Sequence, residues 1–440
     1  MKPINVGILC LGTVGGGTAK VLKHNAAEIE RRTGRQIRLF MAADKRNDLD
    51  TTEMFVPETT LTDDAFAVVS HPEIDIVVEL IGGTGIAKDL ILKAIENGKH
   101  VVTANKKLLA EYGNEIFAAA EEKQVTVMFE AAVAGGIPII KTLREGLAAN
   151  RIQWIAGIIN GTSNFILSEM REKGSSFTEV LAEAQRLGYA EADPTFDIEG
   201  HDAGHKITIM ASLAFGIPLN FSKCYLEGIS KLDAKDIKYA EELGYRIKLL
   251  GITRRTENGI ELRVHPTMIP EKRLLASVNG VMNAVWVHAD MVGSTLHYGA
   301  GAGELATASA VVADIVDLSR MITSDNADRV PHLAFQPSKV QHTPVLPMDE
   351  VKSGYYLRIQ AADQSGVLAD IANILAQEKI SIEALTQKGV IKQEQIAEIV
   401  ILTHTTQEKY IKAAIAEIEK LPNIYAPVVM IRMESFHIDN

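Results

Sequence analysis

This chain reads as an α/β protein in three parts. A doubly wound parallel sheet comes first, a mixed α+β region follows, and a small βαββαβ module ends the chain. Three observations carry that reading. Apolar β-branched runs alternate with helical patterns over the first third, and such alternation implies parallel strands covered by helices on both faces. A glycine-rich turn, Cys10-Leu11-Gly12-Thr13-Val14-Gly15, follows the first apolar run and opens a helical pattern. The last stretch repeats strand and helix patterns in the ferredoxin-like order.

The elements follow in order. Residues 4–11 form a buried-strand candidate, 15–33 a helix, and Ile37–Ala43 the next strand. The unbroken run IDIVVELI, residues 74–81, suits a strand covered on both faces. Helix at 87–97, a short strand His100–Thr103, helix at 107–123 and strand at 125–129 complete the pattern. The middle region holds helices at 178–187 and His201–Phe215 and a strand at 260–266 (IELRVHP). Residues 299–322 are a glycine turn and then a long apolar helix, placed to return to the first domain. Four prolines within residues 331–348 mark a linker. The expected domains are therefore 1–133 with 300–330, then 134–299, and 349–440 behind the linker.

Bulk properties exclude several classes. A formal charge of -11 and no dense Lys/Arg tract argue against nucleic-acid binding. Two distant cysteines, Cys10 and Cys224, do not make a disulfide framework, and a reducing cytoplasm fits. No apolar run approaches the roughly 20 residues of a membrane helix, so no membrane partner is expected, and no signal-peptide pattern is present.

The turn at Cys10–Gly15 matches G-x-G-x-x-G except at its first position, where cysteine stands. Gly12 would let backbone approach a pyrophosphate, and Gly15 would allow close helix–strand packing. Its place between strand and helix marks a dinucleotide site. After the second strand the chain reads Ala43-Asp44-Lys45-Arg46. Asp44 suits the ribose hydroxyl of NAD, whereas Lys45 and Arg46 suit the 2′-phosphate of NADP, so the choice stays open. Lys106 lies just beyond a strand carboxyl end, where ligands bind in open α/β sheets.

Asp202 and Lys206 are four apart on one helix face, and the helix is apolar on nearly all sides beyond Lys206. Burial lowers a lysine pKa and a nearby carboxylate raises it; a lysine so poised suits proton exchange with a hydroxyl. Glu191 and Asp193 precede it on a loop and suit an ammonium group. His201 and His205 have a zinc-like spacing, but Asp202 replaces the glutamate of that motif and Gly204 weakens the helix. Zinc is not expected.

With these motifs in hand, the chain resembles homoserine dehydrogenases. The matching stretches include LGTVGGG, VVTANKKLLA, FEAAVAGGIPIIKTLREGL, GIINGTSNFIL, LGYAEADPTFDIEGHDAGHK and GAGAGELATASAVVADI. The C-terminal module, with Asp363-Gln364-Ser365-Gly366, resembles an ACT domain. The resemblance implies a Rossmann-type first domain, a second domain for substrate and dimerisation, and a regulatory third. It implies hydride transfer between NAD or NADP and L-aspartate 4-semialdehyde or L-homoserine. By position it puts the catalytic lysine at Lys206 and a second active-site lysine at Lys106. Substrate contacts fall on Glu191 and Asp202. Cofactor contacts fall on Leu11, Gly12, Thr13, Val14, Gly15, Asp44, Lys45, Arg46, Lys106 and Gly303. A sodium ion would be held by Glu130 and the carbonyls of Val133, Gly135 and Ile137. Threonine would act near Asp363 and Gly366, and the protein would be a dimer or tetramer. Two departures stand out: Cys10 in place of the first glycine, and Ala43 where many relatives carry arginine. The alternatives are another amino-acid or semialdehyde dehydrogenase, for which no nucleophilic cysteine is placed, and a non-catalytic sensor, against which the Glu191, Asp202 and Lys206 group speaks.

Overall fold

Six parallel strands form the first sheet, in the order Thr60–Thr62, Ile37–Ala43, Ile4–Leu9, Ile76–Glu79, His100–Thr103, Val127–Met128. Chain order reverses between Ile4–Leu9 and Ile76–Glu79, which opens a crevice beyond their carboxyl ends where ligands bind. The computed structural model describes residues 2–46, 48–322, 329–391 (backbone alone from 388) and 396–436. The expected end of the third part, at 440, lies outside the described residues.

The patterned helices are present with shifted ends. The stretch 15–33 is two helices, Thr13–His24 and Ala26–Thr33, parted at Asn25, which leaves helical dihedrals; asparagine favours helix ends over interiors. Helix Glu304–Met321 does return to the first sheet. It packs on Thr13–His24 so closely that a Cβ on Gly17 would lie 2.9 Å from the Glu304 carbonyl oxygen, and Lys20 pairs with Glu304 at 2.7 Å.

The middle region contributes Ile152–Ile158, Tyr245–Arg255, Ile260–Pro270, Met282–Ala289 and Gly293–Ala300 to a second sheet. Helix His201–Phe215 lies between this sheet and helix Lys106–Glu122. It is buried from Asp202 to Phe215, which explains why its sequence is apolar all round.

The C-terminal module has the βαββαβ order, with strands Lys352–Ala362, Ile382–Ile391, Ile396–Thr403 and Val429–Met433 and helices Val367–Gln377 and Glu408–Ile418. Its sheet is continuous with the middle one, because Val429–Met433 pairs in parallel with Ile260–Pro270. The proline-rich stretch is packed as well. Ile260 donates to the Pro344 carbonyl and accepts from Leu346 N–H, and His332 stacks on Phe117. The linker stretch is thus folded onto the middle region, and backbone pairing that no local pattern encodes joins the C-terminal module to the sheet.

Candidate functional site

A cavity of about 630 Å³ lies at the carboxyl end of the first sheet, walled on its far side by the second domain. Thr13 and Val14 line one end, and Asn160, Asp197, Asp202 and Lys206 line the other. Gly303 and Thr307 of the returning helix close the side. A wider cleft of about 1450 Å³, lined in part by Trp154, Arg254, Arg273 and Glu434, shares no lining residue with it.

At the turn, Cys10 holds φ 76°, the left-handed region that glycine adopts freely. A cysteine there keeps the turn at the cost of backbone strain. Gly12 caps helix Thr13–His24 with no side-chain partner, so amide groups at the helix start stay free for an anion. A Cβ on Gly15 would fall 1.9 Å from the Cys10 carbonyl oxygen, so this position admits glycine alone. These features fit a dinucleotide pyrophosphate.

Asp44 accepts from the Leu11 amide at 2.7 Å and from the Arg46 guanidinium at 2.9 and 2.8 Å. The Arg46 hydrogen bonds hold the Asp44 carboxyl far below the ordinary range, against burial. Lys45 is exposed and lies outside this pairing. The ribose end thus carries a carboxylate already engaged by a guanidinium.

The other end is built on three caps. Asn105 caps helix Lys106–Glu122 through Leu108 N–H and ties to the Gly83 carbonyl at 2.7 Å. Asn160 caps helix Gly161–Lys173 through Ser163 N–H. Its amide also donates to Asp197 at 2.7 Å and Asp202 at 2.9 Å. Left-handed Gly200 begins helix His201–Phe215 and delivers Asp202 and Lys206. Asp202 then bridges two lysines, Lys106 at 2.7 Å and Lys206 at 2.6 Å.

The charges are uneven. Burial lowers the Lys206 pKa, and Asp202 opposes without cancelling it. Burial also works against the charge of Lys106, but there Asp202 wins and the pKa is raised. Burial would raise the Asp202 pKa, yet the two lysines outweigh it and hold the carboxylate ionised. Asp197 is raised by burial and by Asp202. Lys206 donates to Asp202 and to the Ile159 carbonyl at 2.7 Å. An ammonium has three donors, so one remains for a ligand.

The structure brings Lys106, Asp202, Lys206, Thr13, Val14 and Gly303 to one cavity. Glu191 is exposed on the loop before Asp197 and is not among the lining residues. Asp197 and Asn160, which the sequence reading missed, hold the positions beside Asp202. The N-cap pattern Asn-Gly-Thr-Ser could have singled out Asn160, whereas Asp197 was one acid among several. His205 is buried between Phe196 and Phe221, and burial lowers its pKa to about 4. Among the described residues no group of three or more His, Cys, Asp or Glu could hold a metal ion.

Glu130 is buried and its carboxylate accepts from Ile140 and Lys141 N–H, both at 2.8 Å. Burial raises its pKa, and the buried Asp314 that accepts from Glu130 N–H is raised for the same reason. Consecutive left-handed residues, Ala134 and Gly135, curl the segment between Val133 and Ile137. In the C-terminal module, Asp363 and Gly366 lie in an exposed turn before helix Val367–Gln377, and Gly366 holds φ 100°.

Comparison with known proteins agrees with this geometry. Residues 11–130 match the NAD-binding domain of homoserine dehydrogenase, residues 138–316 match homoserine dehydrogenase, and residues 355–423 match the ACT domain. The homoserine dehydrogenase of Neisseria gonorrhoeae is 69% identical over 437 residues, covering 99% of this chain and 100% of that protein. That of Pseudomonas aeruginosa is 61% identical with the same coverage. The crystal structure of a homoserine dehydrogenase from Thiobacillus denitrificans superposes with TM-score 0.94 at 62% identity, covering 99% of both chains. A hyperthermophilic archaeal homoserine dehydrogenase in complex with NADPH superposes with TM-score 0.61 at 26% identity, covering 72% of this chain and 97% of that one. The chain belongs to the homoserine dehydrogenase family of nicotinamide-dependent oxidoreductases and carries a C-terminal ACT domain.

Proposed function

We propose that Lys206 exchanges the proton at the substrate oxygen when L-aspartate 4-semialdehyde and L-homoserine interconvert, and that threonine restrains the reaction through the ACT domain. The carrying observation is the third donor of Lys206, free on the cavity wall beside a lysine-bridged Asp202. A nicotinamide cofactor held along the Gly12–Gly15 turn would supply the hydride chemistry. In the reductive direction Lys206 donates a proton to the aldehyde oxygen as the carbon gains the hydride. Its lowered pKa favours that donation, while Asp202 keeps enough of it charged. Lys106 holds the far oxygen of Asp202 and faces the same space. Asp202 and Glu191 are the proposed ammonium partners, Asp202 on the cavity wall and Glu191 on the exposed loop before Asp197.

At the ribose end, Arg46 neutralises Asp44, which supports NADP as well as NAD. Replacing Arg46 by alanine should weaken NADP about tenfold more than NAD, the scale of a lost charge-assisted contact; equal losses would leave Arg46 a surface charge. A monovalent cation at Glu130 with the carbonyls of Val133, Gly135 and Ile137 is supported by the burial of the Glu130 side chain and by the left-handed curl of Ala134 and Gly135 in the segment that carries those carbonyls. The exposed Asp363–Gly366 turn before a helix start suits an amino-acid carboxylate. The reading includes a homo-oligomer, a dimer or a tetramer. The test of the whole reading is turnover of homoserine with NAD(P), then calorimetry with threonine on the full chain. Absence of turnover would sink the catalytic reading, and absence of binding heat the regulatory one.

A further inference from the structure

Glu79 ends the strand Ile76–Glu79 and stands in register with Thr103, the last residue of the neighbouring strand His100–Thr103. Its side chain is fully buried. One carboxylate oxygen, Oε1, accepts from Ile81 N–H at 2.8 Å and from Gly82 N–H at 3.0 Å. The other, Oε2, accepts from the Thr103 hydroxyl at 2.7 Å. Thr103 Oγ1 in turn accepts from Asn105 N–H at 3.0 Å. Asn105 closes the ring, since its amide donates to the Gly83 carbonyl while its Oδ1 caps helix Lys106–Glu122. Two turns, 80–83 and 103–106, are thus tied to each other through one carboxylate.

A buried carboxylate is costly unless donors satisfy it, and a satisfied polar network fixes one arrangement of the groups it joins. The donors to Glu79 come from both turns, so the network fixes their relative position. The second turn brings Ala104 and Lys106 to the cavity. Lys106 Nζ meets Asp202 at 2.7 Å, a contact that spans the cavity from the dinucleotide domain to helix His201–Phe215. A lysine side chain is long and flexible, so the place of its Nζ depends on the turn from which it starts. A misplacement of about 1 Å in such a group can cost about 100-fold in rate.

Resting on the reading of Lys106 as an active-site lysine, we infer that Glu79 is a positioning residue: acting through Thr103 and Asn105, it sets the turn that carries Lys106 so that the ammonium reaches Asp202 across the cavity.

The experiment has two readouts. The first is the rate at which acetic anhydride acylates Lys106, followed by peptide mass spectrometry, with exposed Lys107 on the same helix as the internal reference. Thr103→Val keeps the shape of the side chain and removes the hydroxyl that links Glu79 to Asn105. It should speed acylation of Lys106 about tenfold, the scale of one hydrogen bond to a charged group, and leave Lys107 unchanged. Thr103→Ser restores the hydroxyl and should restore the parent rate. The second readout is kcat/KM for homoserine with NADP+. Thr103→Val should lower it about tenfold in the parent and less than about twofold in a Lys106→Met background, because residues that act through one another are not additive. Glu79→Gln presents Thr103 with a donor in place of an acceptor. It covers the case in which the valine variant fails to fold, and should move both readouts in the same direction. Unchanged acylation of Lys106, equal acceleration at Lys106 and Lys107, no rescue by serine, or additive losses with Lys106→Met would each overturn the assignment. A parent chain without turnover would overturn the catalytic reading, while the acylation rates would still decide whether Glu79 places Lys106.

Discussion

Two clusters of buried charge in this molecule differ in residue type. Around Asp202 the cations are lysines. Where the ACT domain meets the second sheet they are arginines. Arg432 is buried and pairs with Glu408 and with Glu227. Arg263 pairs with Glu261 and Glu434, and Arg358 clasps Asp236 at 2.6 and 2.9 Å. Guanidinium is a planar fork that stays charged, so it ties two elements together permanently. An ammonium shifts its pKa on burial and can give up a proton. The junction closes its arginines against carboxylates from both domains. The cluster around Asp202 leaves a lysine donor facing a cavity. Buried cations thus hold one place together and leave a donor open to a ligand in another, according to donor chemistry and access.

The largest effect should separate the two. Lys206→Met should lower turnover at least ~100-fold, the scale of a positioned acid–base group, while cofactor affinity stays within about twofold. A folded variant with near-normal turnover would break the comparison.

Next comes the junction. Arg432→Met leaves buried Glu408 with Lys412 alone and takes the arginine from Glu227, and breaking a buried pair costs about 3–5 kcal/mol. Denaturant midpoints should report that loss, whereas the folded variant should turn over within a few-fold of the parent at low temperature. Loss of activity without loss of stability would show that the junction does more than hold the domains.

Lys248 supplies a pH test between these cases. It is a buried lysine that donates to the Val278 carbonyl at 2.5 Å and to Asn164 and Asn279, securing the loop ahead of Asn283. Burial lowers its pKa to about 7. Above that value the folded protein has released a proton that the unfolded chain still binds, up to the ordinary lysine range. Stability from this group therefore rises as pH rises from about 7 towards 10, and is lost as pH falls through 7. Unfolding midpoints at pH 7, 8 and 9 should climb more in the parent than in Lys248→Met, and parallel slopes would refute the assignment.

The smallest effect is at the turn. Cys10→Gly should stabilise by roughly 1 kcal/mol through relief of the left-handed strain, measured as a small rise in melting temperature. An unchanged or lower value would mean that the cysteine side chain earns its place by packing.

Much of this was legible in residue order because it is local. The alternation of strand and helix, the span His201–Phe215 and the Gly12–Gly15 turn are encoded within a few residues, by periodicity and by glycine's lack of a Cβ. Lys206 and Asp202 share a face through helix spacing alone. Distance in the chain hides the rest. Nothing in AEADPTFDIEG marks Asp197 as a neighbour of Asp202; Asn160, 37 residues from Asp197, ties the two together. Asn283 reads as an ordinary strand residue until Gly301 is folded against it. The joining of the ACT sheet to the middle sheet depends on Thr267 meeting Arg432, a pairing that only chain closure over 165 residues creates. Local patterns fix which elements form; the acids, amides and edges that meet are fixed by packing, because hydrogen bonds and desolvation act across space and not along the chain.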